Sequence, residues 1–284
     1  MKTTSMIFLI LSLVLIIAGT AVCLITQNMA QNDGVNLFAS QENENTHGVY
    51  TETLSDSAIN KIVVRVKDAD VVIKRGESSS ITLNNYSIGN YYMAISNKNL
   101  TFEEGVSLMS LFKFSSGSFS FNGLRQFLNF GNFDGKQKTV EITVGKNESL
   151  RQIDIEVENG NVNVEGPSVS ADYNISVING KVILDIPGKF STANVNVKKG
   201  DLTFKTRGNN GKANVTVDNG NAYLILSESA TRAYSLKTEK GTIHHFGSVM
   251  GNAFESAPAG EITTEYNVAL KSGDISVELH AISE

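Results

Sequence analysis

Four stretches of this chain repeat one pattern: IDIEVENGNVNV at 153–164, YNISVINGKVIL at 173–184, ANVNVKKGDLTF at 193–204 and ANVTVDNGNAYL at 213–224. Their glycines, Gly160, Gly180, Gly200 and Gly220, recur every twenty residues, and looser copies surround Gly241 and Gly273. A constant period in this range is typical of repeat architectures. The repeats therefore predict how the chain folds, although they contain no chemistry that identifies a function.

Apolar and polar residues alternate on both sides of each glycine, which is the pattern of strands with one buried face. In the first repeat the apolar positions are Ile155 and Val157 before the glycine and Val162 and Val164 after it. The alternation shifts by one residue at the glycine, so we expect the chain to bend there and keep its apolar side chains on the buried face. Two folds satisfy this pattern: a β-hairpin in each repeat, or a β-solenoid in which each repeat is one coil.

The residue before the glycine favours the solenoid. A two-residue type I′ hairpin turn needs Asn, Asp or Gly there, because both central residues have positive φ. That position holds Asn159 and Asn179, but also Lys199, Lys240 and Ser272. We therefore predict an all-β fold, a β-solenoid of stacked coils that covers residues 59–284.

Flanking segments extend the pattern less regularly. KIVVRVKDADVVIK at 61–74 has the apolar positions with Ala69 in place of glycine, MAISNKNLTF at 93–102 has a weaker version, and KTVEITVGKNESL at 138–150 leads into the clear repeats. Atypical terminal coils are expected in repeat proteins. HHFGSVMGNAFESAPAGE at 244–261 is expected to be a loop, and VALKSGDISVELHAISE at 268–284 the final coil.

A polar column accompanies the apolar ones. The residues six positions before the glycines are Asp154, Asn174, Asn194, Asn214, Ser235 and Asn267. Stacked coils would place equivalent residues about 4.7–4.9 Å apart, within reach of a side-chain hydrogen-bond ladder. We interpret the column as a structural amide ladder rather than a ligand-binding stripe.

The N-terminal residues predict a membrane anchor. Met6 to Ile25 is almost wholly apolar and uncharged, and a helix of that length spans the hydrocarbon core of about 30 Å. Cleaved signal peptides have shorter apolar regions of about 7–15 residues. We predict a single transmembrane helix within residues 1–26, a polar tether at 27–58 and an extracytoplasmic body; the alternative is secretion after signal cleavage.

An aromatic insertion at 104–137 interrupts the repeats. It contains seven of the fourteen phenylalanines, Phe112, Phe114, Phe119, Phe121, Phe127, Phe130 and Phe133. One hypothesis is a cap that covers an open end or flank of the solenoid and protects its sheet edge. The other is an exposed aromatic patch for a protein partner or the membrane surface. If the chain has a partner-binding site, we expect these phenylalanines to form it.

No catalytic, cofactor or metal site is predicted. Cys23 is the sole cysteine, and His244 and His245 are adjacent, so on a strand they point to opposite faces. No nucleophile-elbow, phosphate-loop, dinucleotide or EF-hand motif occurs. The net charge of −5 argues against nucleic acid as a partner. We therefore expect a protein that is not an enzyme.

The stretch TVEITVGKNESLRQIDIEVENGNVNVEG at 139–166 resembles the bacterial putative-adhesin β-strand-repeat family, whose domains are largely of unknown function. The resemblance covers roughly Lys138 to Val277, with a weaker echo from Ile62 to Ile73. Gly145 stands where the family usually has Pro, and the Phe-rich insertion lies outside the pattern. The resemblance implies a β-solenoid-like body on the bacterial cell envelope, often behind a single membrane span, and implies no catalytic residues.

Two functions remain open. The first is an adhesin-like, scaffold or sensor component that contacts an envelope protein or cell-wall partner. The alternative is a carbohydrate-binding or carbohydrate-active solenoid, which would need aromatics exposed along one face or paired carboxylates. Tyr173, Tyr234 and Tyr266 share a column, but that column has the parity of the buried face, and Tyr223 lies elsewhere.

Overall fold

A computed structural model describes residues 49–279 except 55–58, 87–90, 105–136, 147–149, 167–169, 208–210, 228–230 and 259. All regular structure in these residues is β-strand. The strands are β1 (Val49–Thr53), β2 (Lys61–Gly76), β3 (Ser80–Asn84), β4 (Tyr91–Ser96), β5 (Asn99–Glu104), β6 (Lys138–Gly145), β7 (Gln152–Asn159), β8 (Val162–Glu165), β9 (Asp172–Asn179), β10 (Val182–Ile186), β11 (Thr192–Lys199), β12 (Leu202–Thr206), β13 (Gly211–Asn219), β14 (Ala222–Leu226), β15 (Arg232–Thr238), β16 (Ile243–His245), β17 (Ser248–Val249), β18 (Ala253–Ser256), β19 (Thr264–Ser272) and β20 (Ile275–Leu279). The prediction of an all-β fold is confirmed.

The clear repeats stack as parallel coils with a shift of one period. Asn174 pairs in register with Asn194, and Asn194 with Asn214, while Val182 pairs with Leu202. The residues before the glycine are not among those with positive φ, whereas Gly160 and Gly200 have φ of 147° and 136°. The hairpin-per-repeat alternative is therefore wrong, and the arrangement is solenoid-like.

Two sheets enclose one core. The first sheet contains the strands before the glycines, in the order β4–β5–β2–β7–β9–β11–β13–β19–β15–β18. The second contains those after the glycines, in the order β1–β3–β6–β2–β8–β10–β12–β14–β20–β16–β17. The predicted apolar columns face inward; Ile155, Val162 and Val164, for example, are at most 1% exposed.

Glycine recurs at the bends because the backbones of successive coils meet there. A Cβ on Gly180 would lie 1.8 Å from the carbonyl oxygen of Gly160, and one on Gly200 would lie 1.9 Å from that of Gly180. Real Cβ atoms essentially never approach another atom within 3.0 Å. Ala69 takes the equivalent position in β2, as predicted, because a Cβ on Gly160 would meet the Ala69 carbonyl oxygen in the same way.

The end nearest the N-terminus differs from the prediction in two places. MAISNKNLTF forms the antiparallel hairpin β4–β5 instead of a coil, with positive φ at Asn97 and Lys98, which is the geometry of a type I′ turn. Residues 49–53 of the predicted tether form β1, antiparallel to β3. Alternation in VYTET is the local reason for this strand. The predicted anchor lies outside the described residues.

The opposite end also differs. The predicted final coil, β19–β20, lies between β13–β14 and β15–β16, so it is not last in space. The predicted loop at 244–261 contains strands: β17 pairs antiparallel with β16, and β18 with β15. Phe246 and Gly247, with φ of 48° and 79°, turn the chain between β16 and β17. Within the part of the chain that is described, no helix is long and apolar enough to cross a membrane.

Candidate functional site

The Phe-rich insertion replaces one bend of the stack. β5 ends at Glu104 and β6 begins at Lys138, and both pair with β2 in parallel. Lys138 lies in register with Ala69, which occupies the position of the bend glycine. The coil beside β2 therefore lacks the tight turn found in the repeats. Ala69 is not among the residues with positive φ, so its backbone, unlike that of Gly160 or Gly200, accepts a side chain without that strain.

A nearly buried ion pair joins the two ends of the insertion; we call Glu104 and Lys138 the neck. The Lys138 ammonium donates to the Glu104 carboxylate, and their side chains are only 14% and 6% exposed. Glu104 also accepts hydrogen bonds from the backbone N–H groups of Lys67 and Asp68, at 2.8 and 3.2 Å. β5 does not extend opposite these two residues. The carboxylate thus provides the acceptors that a continuing strand would have supplied.

Aromatic side chains support the neck from the core side. The Lys138 ammonium lies 5.6 Å from the ring centre of Tyr86, a distance at which a cation is attracted to the ring face. Tyr86 makes edge contacts with Tyr91 and Phe102, at 5.7 and 5.4 Å between ring centres. Burial, with a smaller contribution from the charge of Glu104, raises the pKa of the Tyr86 phenol well above its usual value. Tyr86 therefore stays neutral and serves as packing.

A shallow polar groove of about 300 Å³ lies beside the neck. It is lined by Asp68, Asp70, Gln137, Asn159, Gly160, Asn161, Asn179 and Gly180. Its carboxylates are engaged: Asp70 accepts from the backbone and side-chain nitrogens of Asn161, at 2.7 and 3.1 Å, and Asp68 from the Asn159 side chain at 2.8 Å. A wider open groove of about 480 Å³ lies at the far end, between β15, β18 and β19. Neither groove is enclosed, so both suit a macromolecular surface better than a small-molecule site.

The predicted amide ladder forms on the outer face of the first sheet. Asn174 donates to Asp154 at 2.8 Å, Asn194 to Asn174 and Asn214 to Asn194 at 2.9 Å, and Asn267 to Asn214 at 3.1 Å. The Asp154 carboxylate also forms an ion pair with the Lys61 ammonium, at 2.7 Å. Burial alone would raise the pKa of Asp154, but hydrogen bonds from Asn174, Lys61 and Gln152 outweigh it and lower that pKa. The column is a continuous structural element, as predicted.

A second ladder follows the bend and was not predicted. The residue after the glycine accepts a hydrogen bond from the backbone N–H of its counterpart in the next coil. Asp201 accepts from Asn221 at 2.8 Å, Asn221 from Asp274 at 2.9 Å, and Asp274 from Thr242 at 2.8 Å. The signal was present in the sequence as Asp or Asn after most of the repeat glycines. These side chains satisfy bend N–H groups that a tight turn leaves without strand partners.

The remaining candidate residues belong to the core or its end. Tyr173 and Tyr266 are fully buried and Tyr234 nearly so, as their parity predicted, whereas Tyr223 is 41% exposed. The tyrosine column therefore offers no stacking surface for a sugar. His245 packs among Tyr234, Phe246 and Phe254, and partial burial lowers its pKa. Within the described residues, no three His, Cys, Asp or Glu side chains group as a metal site would require.

A family model for the Toastrack DUF4097 domain matches residues 59–186 of the chain. The match extends from just before β2 to the end of β10. Over these residues the chain is similar to the Toastrack DUF4097 family. The resemblance to a bacterial putative-adhesin family of unknown function is thereby confirmed. The Toastrack match includes the neck and the insertion, and the repeats beyond 186 continue the same stack.

Solved structures with a similar arrangement include a putative cell adhesion protein from Clostridium sporogenes, 13% identical over 81% of this chain and 98% of that one, with a TM-score of 0.47. Another is a putative adhesin from Bacteroides fragilis, 14% identical over 82% and 98% of the two chains, with a TM-score of 0.40. A third, from Parabacteroides distasonis, is 11% identical over 80% and 96%, with a TM-score of 0.36. No curated protein matches the chain.

The seven phenylalanines proposed as a partner-binding patch lie outside the described residues. The described residues that the site brings together are those of the neck, Glu104 and Lys138, with Gln137 beside the groove. Sequence reasoning missed the neck because the two charges are thirty-four positions apart. The available signal was a pair of opposite charges at the two boundaries of an atypical segment.

Proposed function

We propose that this protein is a non-enzymatic, adhesin-like interaction protein of the cell envelope. An N-terminal helix anchors it, and its stacked body presents the insertion at 104–137 to an envelope protein or cell-wall partner outside the membrane. The supporting observation is the neck. A nearly buried ion pair, with two further hydrogen bonds to β2, fixes both ends of the insertion to the body.

The cost of that arrangement supports a role for the insertion. Removing two charges from water is costly unless they pair and use their remaining hydrogen-bonding capacity. Glu104 and Lys138 form such a pair at the position where the other coils have a glycine bend. A segment that only connected two strands would not need this anchor. The described outer faces, by contrast, carry ladders and surface ion pairs whose members already satisfy one another.

Site-specific photo-crosslinking in cells tests the proposal. A photoreactive amino acid at Phe121 would report contacts of the insertion, and the same residue at Asn196, on the exposed face of β11, would be the matched control. We expect crosslinked species from Phe121 and not from Asn196. Equal yields from both positions, or crosslinks from Asn196 alone, would contradict presentation by the insertion.

Protease treatment of intact cells tests the orientation separately. An antibody to the C-terminus should lose its signal on whole cells if the body is extracytoplasmic. A full-length band that is degraded only after lysis would refute the envelope-surface function, whatever the crosslinking result. Because the strands of the body protect much of its backbone, unfolded control protein should be digested in parallel to show that the protease is active.

A further inference from the structure

The first long strand of the body does not lie at the end of the stack. β2 precedes β5 and β6 in the chain, yet it lies between them and the β7–β8 coil. Its first half pairs with β5 and β7, and its second half with β6 and β8. Both edges of β2 are therefore hydrogen-bonded within sheets, and Val64, Val71 and Ile73 are at most 1% exposed.

The last strands of the body repeat this arrangement at the other end. β19 and β20 follow β15 and β16 in the chain, yet they lie between that coil and β13–β14. Thr264 pairs with Gly211 on one side and Arg232 on the other. Both ends of the repeat body are thus held one coil inward, with β1 and β3–β6 outside β2 at one end and β15–β18 outside β19–β20 at the other.

We propose that these two inward ends, β2 and β19–β20, are clamps that keep the body folded when the chain is pulled through its anchor. A stack whose terminal coils are also its chain ends can unravel one coil at a time, since each coil contacts only its neighbours. Here the first coil reached by a pull from the N-terminus is β2, which cannot leave without breaking its contacts with coils on both sides.

β1 provides an internal comparison. Among the described residues it pairs only with β3, along one edge, and Val49 is 71% exposed. A pull from the N-terminus reaches β1 before β2. We therefore expect β1 to detach at low force and β2 to resist. The need for such a clamp follows from the proposed anchored function, but the clamp itself is a property of the fold and can be measured without any partner or membrane orientation.

Single-molecule force spectroscopy on the full chain in detergent tests the clamp. Cys23→Ser removes the native thiol, and Asn36→Cys and Glu278→Cys provide handles before β1 and on β20. We expect a small early extension of about 4 nm as residues 49–60 are released, from a reach of about 3.3–3.6 Å per residue. The rest should unfold in one later event at higher force. Successive releases of about 7 nm, one twenty-residue coil at a time, would overturn the proposal.

Two matched variants separate the clamp from general stability. Val64→Ala in β2 and Val195→Ala in β11 remove the same atoms from the same buried column, at 0% and 2% exposure. Denaturant unfolding should show similar losses for both. Under constant force, Val64→Ala should unfold about tenfold faster than the parent, because it weakens contacts that must break first, and Val195→Ala should change the rate little. Equal changes in the two rates, or no change in either, would overturn the clamp.

Amide hydrogen exchange on the unmodified full chain gives a second measurement, in case Val64→Ala does not fold. We expect β2 and β19 to exchange as slowly as the central strand β11, and β1, β4 and β18 to exchange on the order of 100-fold faster through local opening. The proposal would be contradicted if protection decreased with sequence distance from the centre of the chain, so that the amides of β2 exchanged as fast as those of β1. Neither experiment depends on the crosslinking or protease results, so the two proposals can fail separately.

Discussion

Substituting Gly200 by alanine tests the reason for the glycine period. The new Cβ would lie 1.9 Å from the carbonyl oxygen of Gly180, so the two bends must separate by at least 1.1 Å to reach 3.0 Å. That shift strains the hydrogen bonds from Gly200 N to Asn219 O and from Gly180 N to Lys199 O, both 2.9 Å. It also places a side chain at φ 136°, a region that glycine tolerates and other residues rarely adopt.

The expected loss of unfolding free energy is the sum of the backbone strain and the weakened hydrogen bonds. A positive φ costs a residue with a side chain about 1–2 kcal/mol, and each weakened backbone hydrogen bond contributes about 0.5–1.5 kcal/mol. We expect Gly200→Ala to lower the free energy of unfolding by about 2–5 kcal/mol. Gly247→Ala is the matched control, because Gly247 also has positive φ, 79°, but no atom lies within 4 Å of its would-be Cβ. It should cost about 1–2 kcal/mol.

Urea unfolding followed by far-UV circular dichroism measures both free energies, and tyrosine fluorescence provides a second probe since the chain has no tryptophan. Coincident transitions by the two probes would justify two-state treatment. If Gly200→Ala and Gly247→Ala lose the same free energy within about 0.5 kcal/mol, backbone contact between coils does not explain the period. The glycines would then be required only for their φ.

Three further comparisons have defined outcomes. Asn194→Ala removes two ladder hydrogen bonds and should cost about 1–2 kcal/mol, whereas Asn196→Ala, outward on the same strand, should cost under about 0.5 kcal/mol in urea unfolding. Glu104→Gln should cost about 1.5–3 kcal/mol at the neck, against about 0–0.5 kcal/mol for Glu77→Gln, whose pair with Lys146 is exposed; equal losses would contradict a buried neck. The pKa of Asp154 is lower in the folded protein than its unfolded value of about 3.9. The ionised carboxylate therefore stabilises the folded state when the pH is above that unfolded value, and this contribution disappears as the pH falls through the folded pKa. Asp154→Asn should therefore lose less stability than the parent between neutral pH and pH 3, in thermal melts at each pH.

The interior of the stack could be predicted because each repeat contains the complete residue pattern of one coil. In a parallel register of one period, the neighbours of Asn194 are Asn174 and Asn214, so the sequence repeat and the spatial repeat coincide. Burial parity, the bend at glycine and the amide ladder all follow from this coincidence. The tyrosine column was assigned to the buried face for the same reason, and the structure confirms it.

The ends could not be predicted, because many strands of the stack have the same apolar pattern. Val64 pairs with both Ile155 and Phe102, and no feature of its own strand states which coil lies on its other side. The choice depends on competition among similar strands, which is decided by contacts distant in sequence. MAISNKNLTF shows the same limit: its alternation suits a coil or a hairpin, and the positive φ of Asn97 and Lys98 decides in favour of the hairpin.

The positions of the chain entry and the insertion connect the two proposals. β2 receives the chain from the N-terminal side, and it pairs directly with β5 and β6, from which the insertion extends. Once β1 has detached, a pull between an anchored N-terminus and a partner held by the insertion would therefore pass from β2 directly to β5 and β6. The repeats from β7 onward would take no part in that path; they hold the other edge of β2. On this reasoning, the repeats stabilise a short connection between anchor and insertion, and shortening the stack should weaken the clamp before it affects partner contact.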